Sequence, residues 1–236
     1  ELTEKQLTVY RQWIKRRSKH EPIWYITGTI EFGNLTLFVN SHVLIPRPET
    51  EILIERIIHD YGNSHKELRI LDVGTGSGAI ILSLANYFHN CAYFFASDIS
   101  QDALKVASKN ATSNNLDGLV NFKLGNLFAP WTGMKFDIVV ANLPYVPHED
   151  MPTLAPDLSK YEPHLALDGG KAGMEIYDFF LRELPNYLGM KAKVYLEIGY
   201  DQGELIKNIV HKIMPKATTA IIQDYSGIDR IVIIEQ

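Results

Sequence analysis

The sequence has a single cysteine, no long apolar run and no metal-binding pattern of side chains. A lone Cys91 cannot form a disulfide within the chain, which favours a reducing compartment, so we expect a cytoplasmic protein. Cys91 begins an apolar run and is expected to be a buried strand residue rather than a nucleophile. No run could span a bilayer and no signal peptide is recognisable, so we expect no membrane association. The eight histidines lack zinc-ligand spacing, so no metal is expected.

The chain also lacks an excess of positive charge. Its formal net charge is −5, which argues against a partner held mainly through phosphates, and we expect no direct nucleic-acid contact. With 236 residues, 46% hydrophobic and 22% charged, the composition fits one sizeable α/β domain with a small appendage. None of the five methionines begins the sequence, so we expect it to start within a longer product.

The first segment, residues 2–19, is predicted to be an amphipathic helix. Thr3 and Gln6 match a capping box, and Leu2 with Leu7 could form a hydrophobic staple around it. The basic cluster at 15–19 fits a solvated face near a helix C-terminus, which the helix dipole favours. Contact with nucleic acid or an acidic partner is the less favoured interpretation of that cluster.

A β-hairpin is predicted over residues 24–40, with Tyr25-Ile26-Thr27 and Leu35–Val39 on either side of the turn pair Gly33-Asn34. Two prolines then force an extended segment, and a helix is expected from about Thr50 to Tyr61.

From residue 69 onward, strand and helix patterns alternate, which predicts a parallel sheet with helices on both faces. The last two strands are joined by Ser226-Gly227 and must pair antiparallel, an ending that resembles class I S-adenosylmethionine methyltransferases. We therefore predict an α/β, Rossmann-like fold with a mostly parallel seven-stranded sheet and a C-terminal antiparallel hairpin. Residues 146–172 form a long loop that is expected to be functional. Strands are predicted at 69–73, 92–97, 120–124, 136–141, 193–198, 217–224 and 228–235, and helices at 78–88, 101–114, 173–188 and 202–213.

A glycine-rich turn lies between the first strand of this pattern and the helix after it. Glycines allow a tight turn whose backbone N–H groups approach a ligand closely. The next strand ends at Asp98, where a carboxylate can accept hydrogen bonds from two ribose hydroxyls, while Ser100 is better placed to cap the following helix. The turn consists of Gly74, Thr75, Gly76, Ser77 and Gly78.

The third strand is followed by Asn126, which could bond an adenine edge or cap a turn, and by Leu127 and Phe128, either of which could cover the adenine face. This half of the site fits NAD(P) and S-adenosylmethionine equally well.

The fourth strand is followed by Asn142-Leu143-Pro144-Tyr145, at the sheet edge where α/β proteins bind ligands. An amide nitrogen is a poor nucleophile, and a site can help by accepting hydrogen bonds from both of its N–H groups. The side-chain oxygen of Asn142 and the backbone carbonyl of Leu143 are the natural acceptors. Pro144 fixes the loop, and Tyr145 offers an aromatic face to a planar group. Together with the glycine turn, this loop predicts a methyltransferase that acts on an amide or amino group.

The chain resembles the release-factor glutamine methyltransferases, the HemK-type protein-(glutamine-N5) methyltransferases, from about residue 12 to 236. The run at 44–51 and the Tyr161-Glu162-Pro163 loop are the most specific parts of the match. The other matching segments are 22–28, 71–78, 98–100, 142–145, 166–167, 196–199 and 229–230.

The resemblance implies methyl transfer from S-adenosyl-L-methionine to the side-chain amide of a glutamine, in the Gly-Gly-Gln tripeptide of a peptide-chain release factor. It places the cofactor at residues 74–78, Asp98, Leu127 and Asn142, with Asn126 added from its position, and the catalytic and substrate-binding residues at 142–145. It implies that 1–21 is the last helix of an N-terminal substrate-recognition domain, 22–42 a β-hairpin linker and 43–236 the methyltransferase domain. The family's usual loop is Asn-Pro-Pro-Tyr, and this chain has leucine at 143.

Three alternatives remain at the level of sequence. The loop also suits an adenine-N6 or cytosine-N4 nucleic-acid methyltransferase acting on a flipped base, although the chain has no room for a target-recognition domain. A non-catalytic protein that binds the cofactor and a dehydrogenase are the other two.

Overall fold

The computed structural model describes residues 2–62, 64, 66–89 and 91–236. It contains a seven-stranded sheet and a separate two-stranded hairpin. The strands are β1 (Thr29–Phe32), β2 (Leu35–Phe38), β3 (Leu68–Val73), β4 (Ala92–Asp98), β5 (Val120–Leu124), β6 (Phe136–Ala141), β7 (Leu188–Glu197), β8 (Thr218–Gln223) and β9 (Asp229–Glu235). The helices are α1 (Glu4–Arg17), α2 (Ile23–Thr27), α3 (Pro48–Tyr61), α4 (Ala79–Phe88), α5 (Gln101–Ser113), α6 (Pro156–Tyr161), α7 (Glu175–Glu183) and α8 (Gly203–Ile213).

The large sheet has the strand order β5-β4-β3-β6-β7-β9-β8. The first five of these strands pair in parallel, and β9 pairs antiparallel with both β7 and β8. This arrangement confirms the predicted Rossmann-like sheet with its antiparallel C-terminal hairpin. Because the parallel strands share a direction, the residues that follow β3, β4, β5 and β6 all lie at one edge of the sheet.

The buried faces explain why the sheet strands are so apolar. Helices cover both sides, and the central strands β3 and β6 are buried almost throughout. One side of the sheet packs on α3, α4, α5 and the small hairpin, and the other packs on α7 and α8. In the part of the chain that the structure describes, no helix is long and apolar enough to cross a membrane.

In the N-terminal segment, the prediction of the first helix is confirmed and the prediction of the next element is wrong. The capping box between Thr3 and Gln6 is present at the start of α1. Residues 25–27, predicted as strand, belong instead to the short helix α2, which ends at Gly28 with a φ of 84°. The hairpin therefore begins at Thr29. Pro22 before α2 and Gly28 after it favour a short helix that starts and ends at these residues.

Two asparagine side chains, Asn110 of α5 and Asn114 at its C-terminal cap, hydrogen-bond the backbone of the hairpin. The Asn110 carboxamide on α5 accepts from the Phe38 N–H at 2.7 Å and donates to the Phe38 carbonyl at 3.0 Å, as a neighbouring strand would. The proposed domain boundaries stay predictions, but residues 29–38 are packed against the sheet domain rather than loosely attached to it.

The stretch predicted as one helix over 173–188 contains three elements. Helix α7 ends at Glu183, a 3₁₀ turn covers Leu184–Asn186, and β7 begins at Leu188. Pro185 lies in that 3₁₀ turn and cannot continue a helix. Strand β7 therefore starts five residues earlier than the predicted 193, and the pairing with β6 shifts register between Phe136 and Ile138.

Candidate active site

A cavity of about 350 Å³ opens at the carboxyl edge of the parallel strands. It lies where sequence reasoning placed the cofactor and the acceptor, and most of the predicted residues line it together. Those residues are Gly74, Thr75, Gly76, Ser77, Asp98, Asn126, Leu127, Asn142, Leu143 and Pro144. Two predicted residues do not line the cavity: Gly78, which is the N-cap of α4, and Tyr145.

The turn after β3 needs glycine for conformational reasons. Gly74, Gly76 and Gly78 have φ values of 76°, 55° and 82°, in a region that other residues rarely adopt. At Gly74 there is a second reason, since a Cβ there would come within 2.9 Å of the Leu143 side chain. The turn and the loop after β6 are therefore packed directly against each other across the cavity floor.

The Asp98 carboxylate is held by backbone donors at the end of β4. One oxygen accepts from the Gly76 N–H and the other from the Ser100 N–H, each at 2.8 Å. Ser100 caps α5 by accepting from the Ala103 N–H, as predicted. Burial raises the pKa of Asp98, and the backbone hydrogen bonds oppose that rise. A carboxylate has about four acceptor positions, so Asp98 retains capacity for ribose hydroxyls.

Leu127 and Phe128 were the two candidates to cover the adenine face, and the structure favours Leu127. Leu127 lines the cavity with a φ of 45°, and its carbonyl accepts from the Ser97 hydroxyl at 2.9 Å. Phe128 does not line the cavity, and its buried ring stacks on Tyr187 with ring centroids 4.6 Å apart. Asn126 is exposed at the cavity rim, so its side chain is accessible to a ligand.

The loop after β6 is held from behind by two long-range contacts. The Leu143 N–H donates to the buried Tyr177 hydroxyl at 3.3 Å, and that hydroxyl donates to the Glu197 carbonyl. The Tyr145 carbonyl accepts from Gln202 Nε2 at 2.9 Å. A Cβ at Gly173 would collide with that same carbonyl, so the chain around Gly173 approaches the loop backbone to backbone.

Asn142 is oriented by a buried pair that sequence reasoning missed. Its Nδ2 donates to Thr50 Oγ1 at 3.4 Å, and Thr50 Oγ1 donates to Glu197 Oε2 at 2.6 Å. Burial raises the pKa of Glu197 to about 7, against the lowering effect of the hydrogen bonds from Thr50 and Asn142. Thr50 and Glu197 lie in segments that carry the resemblance, 44–51 and 196–199, and Glu197 is also a charged residue at the end of an apolar strand.

The mouth of the cavity is bounded by two loops joined by an ion pair. Arg47 donates to Glu162 Oε1 at 2.6 Å, and Glu162 Oε2 accepts from the Ile45 N–H at 3.3 Å. The Glu162 side chain is 2% exposed and that of Arg47 is 31% exposed. The run at 44–51 and the Tyr161-Glu162-Pro163 loop, which are the most specific parts of the resemblance, therefore contact each other through this ion pair.

The strand order, the glycine turn and the polar loop after β6 define a class I S-adenosylmethionine-dependent methyltransferase. A family model described as a methyltransferase domain matches residues 64–212, and one described as the PrmC N-terminal domain matches residues 1–28. The solved structure of a methyltransferase from Pyrococcus furiosus is similar in fold, with a TM-score of 0.62, 18% identity and coverage of 94% of this chain and 97% of that one.

Relatives of higher identity narrow the family. The chain is 41% identical to the release factor glutamine methyltransferase of Bacillus anthracis, over 100% of this chain and 83% of that protein. It is 39% identical to the release factor glutamine methyltransferase of Lactococcus lactis subsp. lactis, over 98% of this chain and 83% of that protein. The chain belongs to the release factor glutamine methyltransferase family.

Proposed function

We propose that this chain transfers a methyl group from S-adenosylmethionine to the side-chain amide nitrogen of a glutamine in a peptide-chain release factor. The observation that supports this most is the orientation of Asn142. Its Nδ2 faces Thr50, which leaves Oδ1 as the side-chain atom that can accept a hydrogen bond in the cavity. The Leu143 carbonyl is the second acceptor, and together they suit the two N–H groups of a primary amide.

The cofactor half of the cavity fits the methyl donor by its chemistry. Asp98 supplies a carboxylate for the ribose hydroxyls, and Leu127 supplies an apolar surface for the adenine. The turn at 74–77 lets backbone N–H groups approach the cofactor closely. When bound, the donor supplies an electrophilic methyl group on a sulfonium, so the reaction requires no metal.

The role of the protein in the chemical step is to hold the amide. With the donor bound, its sulfonium would supply the methyl group and keep the electrons of the broken S–C bond as a neutral thioether. The amide nitrogen held by Asn142 and Leu143 would form the new N–C bond and release one proton to water. Acceptors at Asn142 and Leu143 orient both N–H groups so that the nitrogen faces the methyl carbon. Such positioning can lower a barrier by ~7–11 kcal/mol in favourable cases. Tyr145 does not line the cavity, so its contact with the face of the amide stays a prediction from the sequence. Burial raises the pKa of its hydroxyl to about 12 and keeps it neutral.

We further propose that the substrate is a protein met in the cytoplasm and that no nucleic acid is contacted directly. The net charge of −5 supports this, because a nucleic-acid cleft is normally basic.

The test is mass spectrometry of a purified release factor after incubation with the enzyme and S-adenosylmethionine. We expect one added methyl on one glutamine, and none when that glutamine is replaced by asparagine. Transfer to DNA and RNA is measured alongside with a labelled methyl group. Label in nucleic acid, with an unmodified release factor, would support the adenine or cytosine methyltransferase instead.

A further inference from the structure

The side chain of Asn142 has two ends of nearly equal shape and opposite hydrogen-bonding character. Oδ1 accepts and Nδ2 donates, and rotation of the amide by half a turn exchanges them. Only one orientation serves an amide substrate, since the other would place a donor against its N–H groups. Something in the protein must therefore fix the orientation before the substrate arrives.

We propose that Glu197, acting on Asn142 directly and through the Thr50 hydroxyl, is the positioning residue that fixes the orientation of the Asn142 amide. The proposal deepens the proposed function, because it concerns the acceptor that we assign to the glutamine amide. An ionised carboxylate only accepts hydrogen bonds. The Thr50 proton is thus committed to Glu197, at an O–O distance of 2.6 Å that is typical of a charge-assisted bond.

Once its proton is committed, Thr50 Oγ1 can offer only lone pairs to Asn142. The amide must then present Nδ2 to Thr50, as the 3.4 Å contact shows, and Oδ1 is left for the substrate. A flipped amide would place two acceptors against each other in a buried setting, which is unfavourable. The charge on Glu197 therefore sets the direction of the hydrogen bonds from Thr50 to Glu197 and from Asn142 to Thr50. These residues come from three distant parts of the chain: α3, the loop after β6 and the end of β7.

The charge of Glu197 is itself sensitive to pH. Burial raises its pKa to about 7, and below that value the carboxyl is protonated and can donate to Thr50. The Thr50 proton can then turn toward Asn142 and favour the flipped amide. The turnover number should therefore fall as the pH decreases through about 7. The other titratable or charged groups that influence Glu197 are Glu49 of α3, Tyr145 of the loop, Tyr177 of α7 and Arg230 of β9.

The test compares Glu197→Gln, Thr50→Val and Thr50→Ser with the control Tyr195→Phe. Tyr195 is on the same strand as Glu197, and its buried hydroxyl donates to Asp60 at 2.7 Å away from the cavity. The control therefore also removes a buried hydroxyl–carboxylate bond from β7. We expect the first two variants to lose about 10- to 100-fold in kcat, with little change in cofactor Kd. Thr50→Ser should have a kcat close to that of the wild type because it keeps the hydroxyl. The control Tyr195→Phe should lower Tm and leave kcat unchanged.

The pH profile separates a positioning role from a purely structural one. The wild type and Tyr195→Phe should share an acidic limb near pH 7, and Glu197→Gln should lack it. If Glu197→Gln does not fold, the Thr50→Val and Thr50→Ser pair decides the matter through the same kcat comparison.

A second measurement needs no substrate. In ¹⁵N-asparagine-labelled enzyme without cofactor, the signal missing from Asn142→Ala identifies the Asn142 amide. Its protons should exchange slowly with water in the wild type and Tyr195→Phe, and faster in Glu197→Gln and Thr50→Val. If the wild type fails to methylate a release factor but this pattern holds, the proposed function fails and the positioning role stands. Unchanged kcat and unchanged amide exchange in both Glu197→Gln and Thr50→Val would overturn the positioning role.

Discussion

The backbone N–H of Leu143 donates to the hydroxyl of Tyr177, a fully buried side chain on α7. The usual loop of the family has proline at this position, which has no N–H to donate. Leu143 therefore introduces a backbone N–H donor, and the Tyr177 hydroxyl accepts its hydrogen bond. The same hydroxyl reaches the carbonyl of Glu197, so Tyr177 links the substrate loop to the strand that carries the positioning carboxylate.

We predict that the effects of Leu143→Pro and Tyr177→Phe are not additive. Tyr177→Phe leaves the Leu143 N–H and the Glu197 carbonyl without a partner, which should cost about 1–3 kcal/mol for each group. Leu143→Pro removes the donor itself, so the double variant should be destabilised by less than the sum of the two single variants. Urea unfolding of the four proteins measures the coupling. Additive effects would mean that the 3.3 Å contact contributes nothing.

The side chain at 143 is also part of the core. Leu143 is 4% exposed and lies against Gly74. Leu143→Ala should cost about 2–5 kcal/mol of stability, the range for buried leucines. Because we assign the chemistry to its backbone carbonyl, kcat per folded enzyme should remain close to wild type. A large loss of kcat at a temperature where the variant is fully folded would mean that the side chain shapes the substrate pocket.

Asp98 should matter both to the cofactor and to the turn that holds it. We predict that Asp98→Ala weakens S-adenosylmethionine binding roughly 10- to 150-fold, the equivalent of ~1.5–3 kcal/mol for charge-assisted hydrogen bonds. Asp102→Ala is the matched control, since that aspartate is nearby on α5 and pairs with Lys105 at the surface. Calorimetry should show an unchanged Kd for the control. An equal Kd in both variants would remove Asp98 from the ribose role.

The Arg47–Glu162 pair should hold the cavity mouth together. Arg47→Met leaves a buried carboxylate without its cation, and we expect a cost of about 1–3 kcal/mol. This is less than for a fully buried pair, because Arg47 is partly exposed to water. Arg47→Met with Glu162→Gln should recover much of the loss, since no charge remains buried. Hydrogen exchange should accelerate at 43–47 in the single variant. Equal stability of the single and double variants would contradict this account.

Asp72 lies under the glycine turn, accepts from the Thr75 hydroxyl at 2.6 Å and has its pKa raised to about 7 by burial. A carboxyl whose pKa is higher in the folded state than in the unfolded state destabilises the fold as pH rises between the two values. Asp72→Asn should therefore raise Tm at alkaline pH, and this gain should shrink as the pH falls below about 7. Thermal unfolding of both proteins without cofactor across this range is the measurement. A gain that does not vary with pH would contradict the assignment of the shift to Asp72.

The sheet and most of the site could be predicted because their signals are local. Short apolar runs identified the strands, and the motifs at 74–78 and 142–145 fell at strand ends, where a parallel sheet brings ligands. Helix α2 was missed because an aromatic and β-branched stretch looks like a strand, while the flanking proline and glycine decided its structure. Thr50 and Glu197 fall in segments that carry the resemblance, but their link to Asn142 was not predicted because no spacing rule connects residues so distant in the chain. Tyr177, which contacts Leu143, was not singled out at all.

The central claim is that Asn142 holds the glutamine amide for methylation. Its most direct test is single-turnover transfer of a labelled methyl group to a release factor by the wild type and by Asn142→Ala. We predict label on one glutamine with the wild type and a loss of at least about 100-fold with the variant, while its affinity for S-adenosylmethionine changes little. Near-normal transfer by Asn142→Ala, with the label on the same glutamine, would contradict the account.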